Sequence, residues 1–309
     1  MRVAFLGNAD WSVPSLVALA AHPFIEVVGV FTRPPVPAGR GSRLTATPVA
    51  DAARELGLPL VEVSTVCREE GLAALHRIEP DVIAVVAYGE ILSPEVLAIA
   101  SIAPVNLHFS LLPSYRGSAP VQRALLDGVT ETGVSVMLMD EGMDTGDILT
   151  QRTVPIGPDE DSGTLGARLA ELGAGMLAEA VAALGDGAPR GTPQDDSDAT
   201  TAPRIPTREI DWMQSAERVV NLVRALAPRP GAATELDGTR LKVLRAAVTQ
   251  GVGTPGTLLR IDPDGPVIAT SGGAVLLLEV APAGRRHMTG AEFARGARLD
   301  PRDRRPESS

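Results

Sequence analysis

Val82-Ile83-Ala84-Val85-Val86-Ala87 is apolar at every position. A strand with one face in water alternates polar and apolar residues. One with no polar position has both faces covered, as the central strands of a parallel sheet do when helices flank it on either side. Reading outward, the chain repeats short apolar runs separated by helical patterns. Val3–Leu6 runs into Gly7 and reads as a strand feeding a turn, with Ser12 or Ser15 capping the next helix and Pro14 in its first turn. Val27–Phe31 is a second strand, Val49–Leu56 a helix stopped at Gly57, and Pro94–Ile99 a short helix. Val105–Phe109 and Val134–Met139 are further strands, and Thr164–Leu184 is a helix with a full apolar face. Between these, residues 33–48 carry Pro34, Pro35, Pro37, Gly39, Gly41 and Pro48 and read as a loop without regular structure. The alternation predicts an open parallel α/β sheet over residues 1–185.

Residues 186–207 are rich in Gly, Pro, Asp, Ser and Thr and read as a linker. Residues 208–309 have a different rhythm. One helix, Ser215–Ala227, is ended by Pro228 and Pro230. Short strands follow at Ala232–Leu236, Leu241–Ala247, Gly256–Ile261, Val267–Thr270 and Val275–Val280. Asp237-Gly238 and Ser271-Gly272-Gly273 supply hairpin turns between them. This predicts a small β-barrel of the OB type, followed by a charged, disordered tail over residues 300–309.

Composition narrows the classes of function. Aromatic residues are 3% of the chain, so the core must be aliphatic, and no apolar run reaches the ~18 residues of a membrane span. The single cysteine, Cys67, excludes an internal disulfide and a cysteine-based zinc site. A cytoplasmic monomer with no membrane partner is expected. Net charge is −10, but it is unevenly spread. Residues 1–200 hold 12 Lys and Arg against 26 Asp and Glu, a net of −14, whereas residues 201–309 hold 16 against 12, a net of +4. Opposite signs suggest different tasks for the two parts.

The first strand–helix turn reads Gly7-Asn8-Ala9-Asp10, not the G-x-G-x-x-G that a dinucleotide pyrophosphate requires, and no phosphate-binding P-loop is present. The chemistry lies between Val105 and Leu149. Asn106 and His108 are two residues apart on a strand, so their side chains project from one face. Both sit near the carboxyl end of that strand, where open α/β sheets place ligands. Asp144 follows the strand Val134–Met139, in Asp140-Glu141-Gly142-Met143-Asp144-Thr145-Gly146-Asp147. An amide can donate to an oxyanion, an imidazole can move a proton near neutral pH, and a carboxylate can hold that imidazole in its charged form. Together they suit acyl transfer without a nucleophilic side chain. Nothing in the set calls for a metal.

Two stretches resemble the signature of the folate-dependent formyltransferases. They are Asn106-Leu107-His108-Phe109-Ser110-Leu111-Leu112-Pro113-Ser114-Tyr115-Arg116-Gly117-Ser118-Ala119-Pro120 and Met139-Asp140-Glu141-Gly142-Met143-Asp144-Thr145-Gly146. Ala87-Tyr88-Gly89, Pro37-Ala38-Gly39-Arg40-Gly41, Ile210-Asp211-Trp212 and Leu241-Lys242-Val243 fall in the order of the same family. The resemblance covers nearly the whole chain. It implies a Rossmann-like formyltransferase domain followed by an OB-like domain, and 10-formyltetrahydrofolate as co-substrate. Asn106, His108 and Asp144 align with the family's catalytic residues. Ser110, Leu111, Leu112 and Pro113 align with its folate-contacting segment, and Tyr88, Gly89, Met139, Asp140 and Gly142 are expected to join them. The chain departs from the family pattern at Asn8, where a Thr is common, and at Tyr115, where a Trp often precedes the Arg.

The resemblance implies the amino group of an initiator methionyl-tRNA as the acceptor. Arg33, Arg40 and Arg43 lie in a loop with no acidic residue between them, and the resemblance implies that such a loop reaches the tRNA. Lys242 and neighbouring arginines add positive charge to the second part. Beyond Trp212 its only aromatic residue is Phe293, so phosphate contact fits better than base stacking. The competing classes are a formyltransferase acting on a nucleotide-linked amino sugar or other small amine, and a non-catalytic RNA-binding protein of the same fold.

Overall fold

The computed structural model describes residues 1–38, 43–187 and 191–299. The chain forms two compact units. The first comprises Met1–Pro120, Glu131–Pro155 and Gly166–Pro203; the second takes Val121–Thr130, Ile156–Leu165 and the chain from Arg204 onward.

The elements through residue 183 are β1 (Arg2–Gly7), α1 (Val13–Ala21), β2 (Glu26–Thr32), β3 (Val36–Ala38), β4 (Arg43–Thr45), α2 (Pro48–Glu55), β5 (Leu60–Glu62), α3 (Glu69–Ile78), β6 (Val82–Val86), α4 (Pro94–Leu97), β7 (Ala103–His108), α5 (Pro120–Asp127), β8 (Glu131–Leu138), β9 (Ile148–Pro155) and α6 (Ser162–Ala183). Seven strands form one sheet in the order β5-β2-β1-β6-β7-β8-β9. The first five in that order run parallel, as expected for a Rossmann-like sheet. β8 and β9 extend it in antiparallel sense. β6 is buried at all five positions, in agreement with its unbroken apolar run. Each such Val or Ile contributes roughly 1.5–3 kcal/mol relative to an exposed one. Leu107 packs against α6 at Gly173, where an added Cβ would come within 2.7 Å of the leucine side chain. Strand alternation therefore turns Asn106 and His108 toward the opposite face.

Three local expectations change. Residues 33–48 are not wholly irregular, because β3 and β4 pair as a two-stranded hairpin. Pro37 is tolerated there because an isolated ribbon leaves one edge of each strand without a ladder to complete. Ser12 occupies the N-cap of α1 but its side chain makes no capping bond; Oγ donates to the Val86 carbonyl at 2.6 Å and ties α1 to the end of β6. Ser15 is buried in α1, and its hydroxyl has no hydrogen-bond partner among the described residues.

The second unit contains α7 (Ala216–Leu226), β10 (Ala232–Leu236), β11 (Thr239–Thr249), β12 (Leu258–Asp262), β13 (Gly265–Thr270), β14 (Gly273–Pro282), β15 (Met288–Thr289) and α8 (Gly290–Ala297). Its antiparallel sheet runs β10-β11-β14-β13-β12, with β15 on β14, an arrangement consistent with a small barrel. Asp237 and Gly238 both have positive φ, +49° and +70°, as a two-residue hairpin turn requires. α8 begins with a capping box between Thr289 and Glu292, and Phe293 carries it into the core with Val219, Val223, Val243 and Val280. The tail over residues 300–309 lies outside the described residues.

Candidate active site

β7 delivers His108 to a buried position, 6% exposed. Its Nε2 lies 2.9 Å from the Tyr115 carbonyl oxygen. A carbonyl only accepts, so Nε2 carries a proton. Nδ1 faces Asp144 Oδ2 at 3.6 Å. The same Oδ2 accepts the Gly117 backbone N–H at 2.7 Å. Asp144 Oδ1 and the half-buried Asn106 amide have no hydrogen-bond partner among the described residues, so an acceptor and a donor remain for a substrate.

Asp144 arrives by a route that the sequence pattern does not foretell. β8 is antiparallel to β7, with Leu138 opposite Val105 and Ser135 opposite His108. The carboxyl end of β8 is therefore beside the start of β7, not beside His108. The loop after it must double back to bring Asp144 to the imidazole. Asp140 makes that turn: its Oδ1 accepts from the Gly142 amide at 3.0 Å and from Thr145 Oγ1 at 2.7 Å. Gly146 passes so close to β8 that a Cβ there would lie 1.9 Å from the Leu138 carbonyl oxygen. Asp144 itself has φ +56°, a left-handed conformation that non-glycine residues adopt at a cost.

The segment after β7 is held from below and above. Ser110 is fully buried, and its hydroxyl donates to the Ser114 carbonyl at 2.6 Å. Ser135 of β8 donates to the Ser110 carbonyl and accepts from the Leu112 amide, while Gln151 of β9 donates to the Leu112 carbonyl. Ser110 and Leu112 are thus committed to the interior, which leaves Leu111 and Pro113 half-buried at the surface of this segment. On the other side, residues 191–203 lie along it. Thr200 accepts from the Tyr115 and Arg116 amides, and Ala202 exchanges backbone bonds with Arg116 and Ala119. The stretch read as a linker is, over these residues, part of the first unit.

Among the other expected site residues, Tyr88 and Met139 meet in one apolar cluster with Leu92, Val96 and Val66. The Tyr88 ring is buried, and its hydroxyl has no hydrogen-bond partner among the described residues. Burial, reinforced by Glu90 and Cys67, pushes that hydroxyl well above the usual phenol range. Gly89 is exposed, and its carbonyl accepts from Arg33 Nη2 at 3.3 Å, so Arg33 is partly engaged within its own unit. Asp140 and Gly142 act within their loop. Lys242 is exposed on β11. Arg40 lies outside the described residues, and for Arg43 only the backbone, in β4, is described.

Asn8 explains one departure from the family pattern. Its Oδ1 accepts from Thr32 Oγ1 and the Arg33 amide, both at 2.9 Å, and its Nδ2 donates to the Tyr88 carbonyl. One side chain thereby stitches the ends of β1, β2 and β6. Sequence reasoning missed Ser135, Gln151, Gln194 and Thr200. Ser135 alone left a signal, as the single polar residue in the apolar run Val134–Met137. No group of three or more His, Cys, Asp or Glu able to hold a metal ion occurs among the described residues. No described helix is long and apolar enough to cross a membrane.

The arrangement offers an amide donor, an imidazole with a proton on Nε2 and a carboxylate with one open oxygen, and so it can stabilise charge on an acyl oxygen while taking a proton from an attacking nitrogen. Comparisons with known proteins agree with that chemistry. A methionyl-tRNA formyltransferase of Roseiflexus sp. is 44% identical over 315 residues, covering 100% of this chain and 96% of that protein. One from Thermus thermophilus is 44% identical, covering 97% of this chain and 98% of its own. Among solved structures, a sugar 3N-formyl transferase, WlaRD, in the presence of dTDP and 5-N-formyl-THF has a TM-score of 0.66 at 16% identity, covering 93% of this chain and 99% of that one. HypX from Aquifex aeolicus in complex with tetrahydrofolic acid has a TM-score of 0.62 at 18% identity, covering 95% and 47%. These two likenesses concern the fold. Residues 1–181 match the formyl transferase family and residues 206–298 its C-terminal domain, and the chain therefore belongs to the formyl transferases.

Proposed function

We propose that this protein transfers the formyl group of 10-formyltetrahydrofolate to the amino group of initiator methionyl-tRNA, with Asn106, His108 and Asp144 as its catalytic residues. The observation that carries the reading is the His108–Asp144 pair at 3.6 Å, one strand face from Asn106, in a chain similar to methionyl-tRNA formyltransferases through both of its parts.

In this reading the neutral amine attacks the formyl carbon and charge develops on the formyl oxygen. The Asn106 amide donates to that oxygen. His108 supplies a second donor from Nε2 once the formyl oxygen takes the place of the Tyr115 carbonyl. Asp144 Oδ1 accepts the proton released by the attacking nitrogen, while Oδ2 stays on the Gly117 amide. The bond from the formyl carbon to the folate nitrogen then breaks, that nitrogen takes up one proton from solvent, and Asp144 returns its proton to solvent, so protons balance over the turnover. Leu111, Pro113, Gly89 and the edge of the Tyr88–Met139 cluster border the donor, whereas Ser110 and Leu112 shape its floor from within. Arg33, Arg40, Arg43 and Lys242 contact tRNA phosphates, and the enzyme works as a cytoplasmic monomer.

Formyl transfer measured with methionyl-tRNA and, separately, with a dTDP-linked amino sugar tests the acceptor. Turnover on the charged tRNA alone is expected. Turnover on the amino sugar alone overturns the assignment.

A further inference from the structure

Gln194 sits between Pro193 and Asp195, in a stretch with no recognisable motif, yet every hydrogen-bonding position of its side chain is used. Nε2 donates to the carbonyl of Asp144 at 2.9 Å and to that of Gly146 at 2.7 Å. Oε1 accepts from Arg116 Nε at 3.1 Å and Nη2 at 2.9 Å. Arg116 also pairs with Asp196 at 2.8 Å, and its side chain is only 12% exposed. These partners settle the amide orientation. Reversed, it would set an oxygen against two carbonyl oxygens and an NH2 group against a guanidinium. The bridge thus runs from the segment after β7, through Gln194, to the loop after β8.

Asp144 is where such a bridge matters. Its left-handed backbone, φ +56°, persists only when the surroundings over-determine it. The Gly117 amide holds the carboxylate, and Gln194 holds the carbonyl of the same residue. Without Gln194, two carbonyls at the turn lose their donor. The loop, which must double back from the end of β8, is then free to carry Asp144 away from His108.

We propose that Gln194, oriented by Arg116, is a positioning residue for the transfer reaction: it locks the Asp144 loop in the conformation that presents the carboxylate to the amine and to His108. The proposal rests on the reading of Asp144 as the proton acceptor, and the test separates the two. The enzyme is assayed as the full chain with 10-formyltetrahydrofolate and methionyl-tRNA, and each variant is melted alongside.

Gln194→Ala is expected to lower kcat roughly 10- to 100-fold, the effect of losing two hydrogen bonds at a strained turn. KM for both substrates should stay within about twofold, as for an interaction realised only in the transition state. Gln194→Glu keeps the Arg116 contact, and so keeps the segment in place, but sets a carboxylate oxygen against the two carbonyls. It should lose kcat at least as strongly as the alanine variant. In an Asp144→Asn background either change should cost kcat less than about threefold further, because the group being positioned is already gone. If Asp144→Asn alone leaves kcat intact, the underlying reading of Asp144 fails. If Asp144→Asn is costly but the Gln194 variants are harmless, act on KM, or multiply fully with it, Gln194 is a structural tie and the proposal is overturned.

Discussion

Replacing His108 with alanine separates what the imidazole does for the fold from what it does for the reaction. The side chain is 6% exposed, and both ring nitrogens face protein acceptors, the Tyr115 carbonyl at 2.9 Å and Asp144 Oδ2 at 3.6 Å. Removal deletes the hydrogen bond from Nε2 to the half-buried Tyr115 carbonyl, a loss of about 0.5–1.5 kcal/mol, and empties the space the buried ring filled. Asp144 stays anchored by the Gly117 amide. The melting midpoint should therefore fall by roughly 2–6 °C, with the fold retained. The kinetic effect should be much larger. Loss of a donor and proton carrier is expected to lower kcat by about 10²–10⁴, equivalent to about 2.7–5.5 kcal/mol of barrier. His108→Gln is the control, because a glutamine amide can reach the Tyr115 carbonyl but cannot move a proton. It should recover most of the lost stability and little of the rate. The assays are formyl transfer at saturating methionyl-tRNA and thermal melting followed in parallel. Activity within about threefold of wild type in His108→Ala, or rate recovered together with stability in His108→Gln, would refute the catalytic role.

Asp144→Asn should retain the Gly117 bond and leave donor binding within about twofold, while kcat falls about 10²- to 10⁴-fold; donor affinity by calorimetry and kcat by transfer assay check both halves. Lys242→Ala should raise KM for charged tRNA and flatten the dependence of tRNA affinity on salt by about one phosphate contact, read from binding across a salt series; an unchanged slope removes Lys242 from the tRNA surface. The Arg2 backbone amide, with Ser101 and nearby positive charge, outweighs the opposing effect of burial and holds the Asp81 carboxyl below its ordinary value. A carboxyl lowered in the folded state stabilises it fully above the unfolded value of about 3.9 and loses that contribution as pH falls through the folded one. Asp81→Asn should therefore melt below wild type near neutral pH, and the gap should close in acid; a gap independent of pH contradicts the assignment.

Much of this was legible where one residue's chemistry sufficed. The apolar run of β6 declared a covered strand, Asp237-Gly238 declared a turn, and Asn106 and His108 declared a shared face by spacing alone. What escaped the sequence depends on chain direction and on distance. The spacing of Asp144 from its strand is the same whether β8 runs parallel or antiparallel, so the doubled-back loop left no trace in the pattern. Gln194 and Thr200 are polar residues among other polar residues. Their importance comes from partners some 50 to 85 positions away. β5, α3, α5 and β9 also went unread. β5 has only three residues, and β9 is exposed or half-exposed along its whole length, so neither offers the buried periodicity on which such readings depend.

The division of the chain between its two units has a bearing on how such a protein can be altered. Because Val121–Thr130 and Ile156–Leu165 belong with the part that begins at Arg204, the backbone passes from one unit to the other five times. No single cut, by a protease or by a gene truncation near residue 207, releases either half whole. Recombination between relatives near residue 207 would pair a tail with residues 121–130 and 156–165 drawn from another parent, so the contacts within that unit have to be matched in any such exchange.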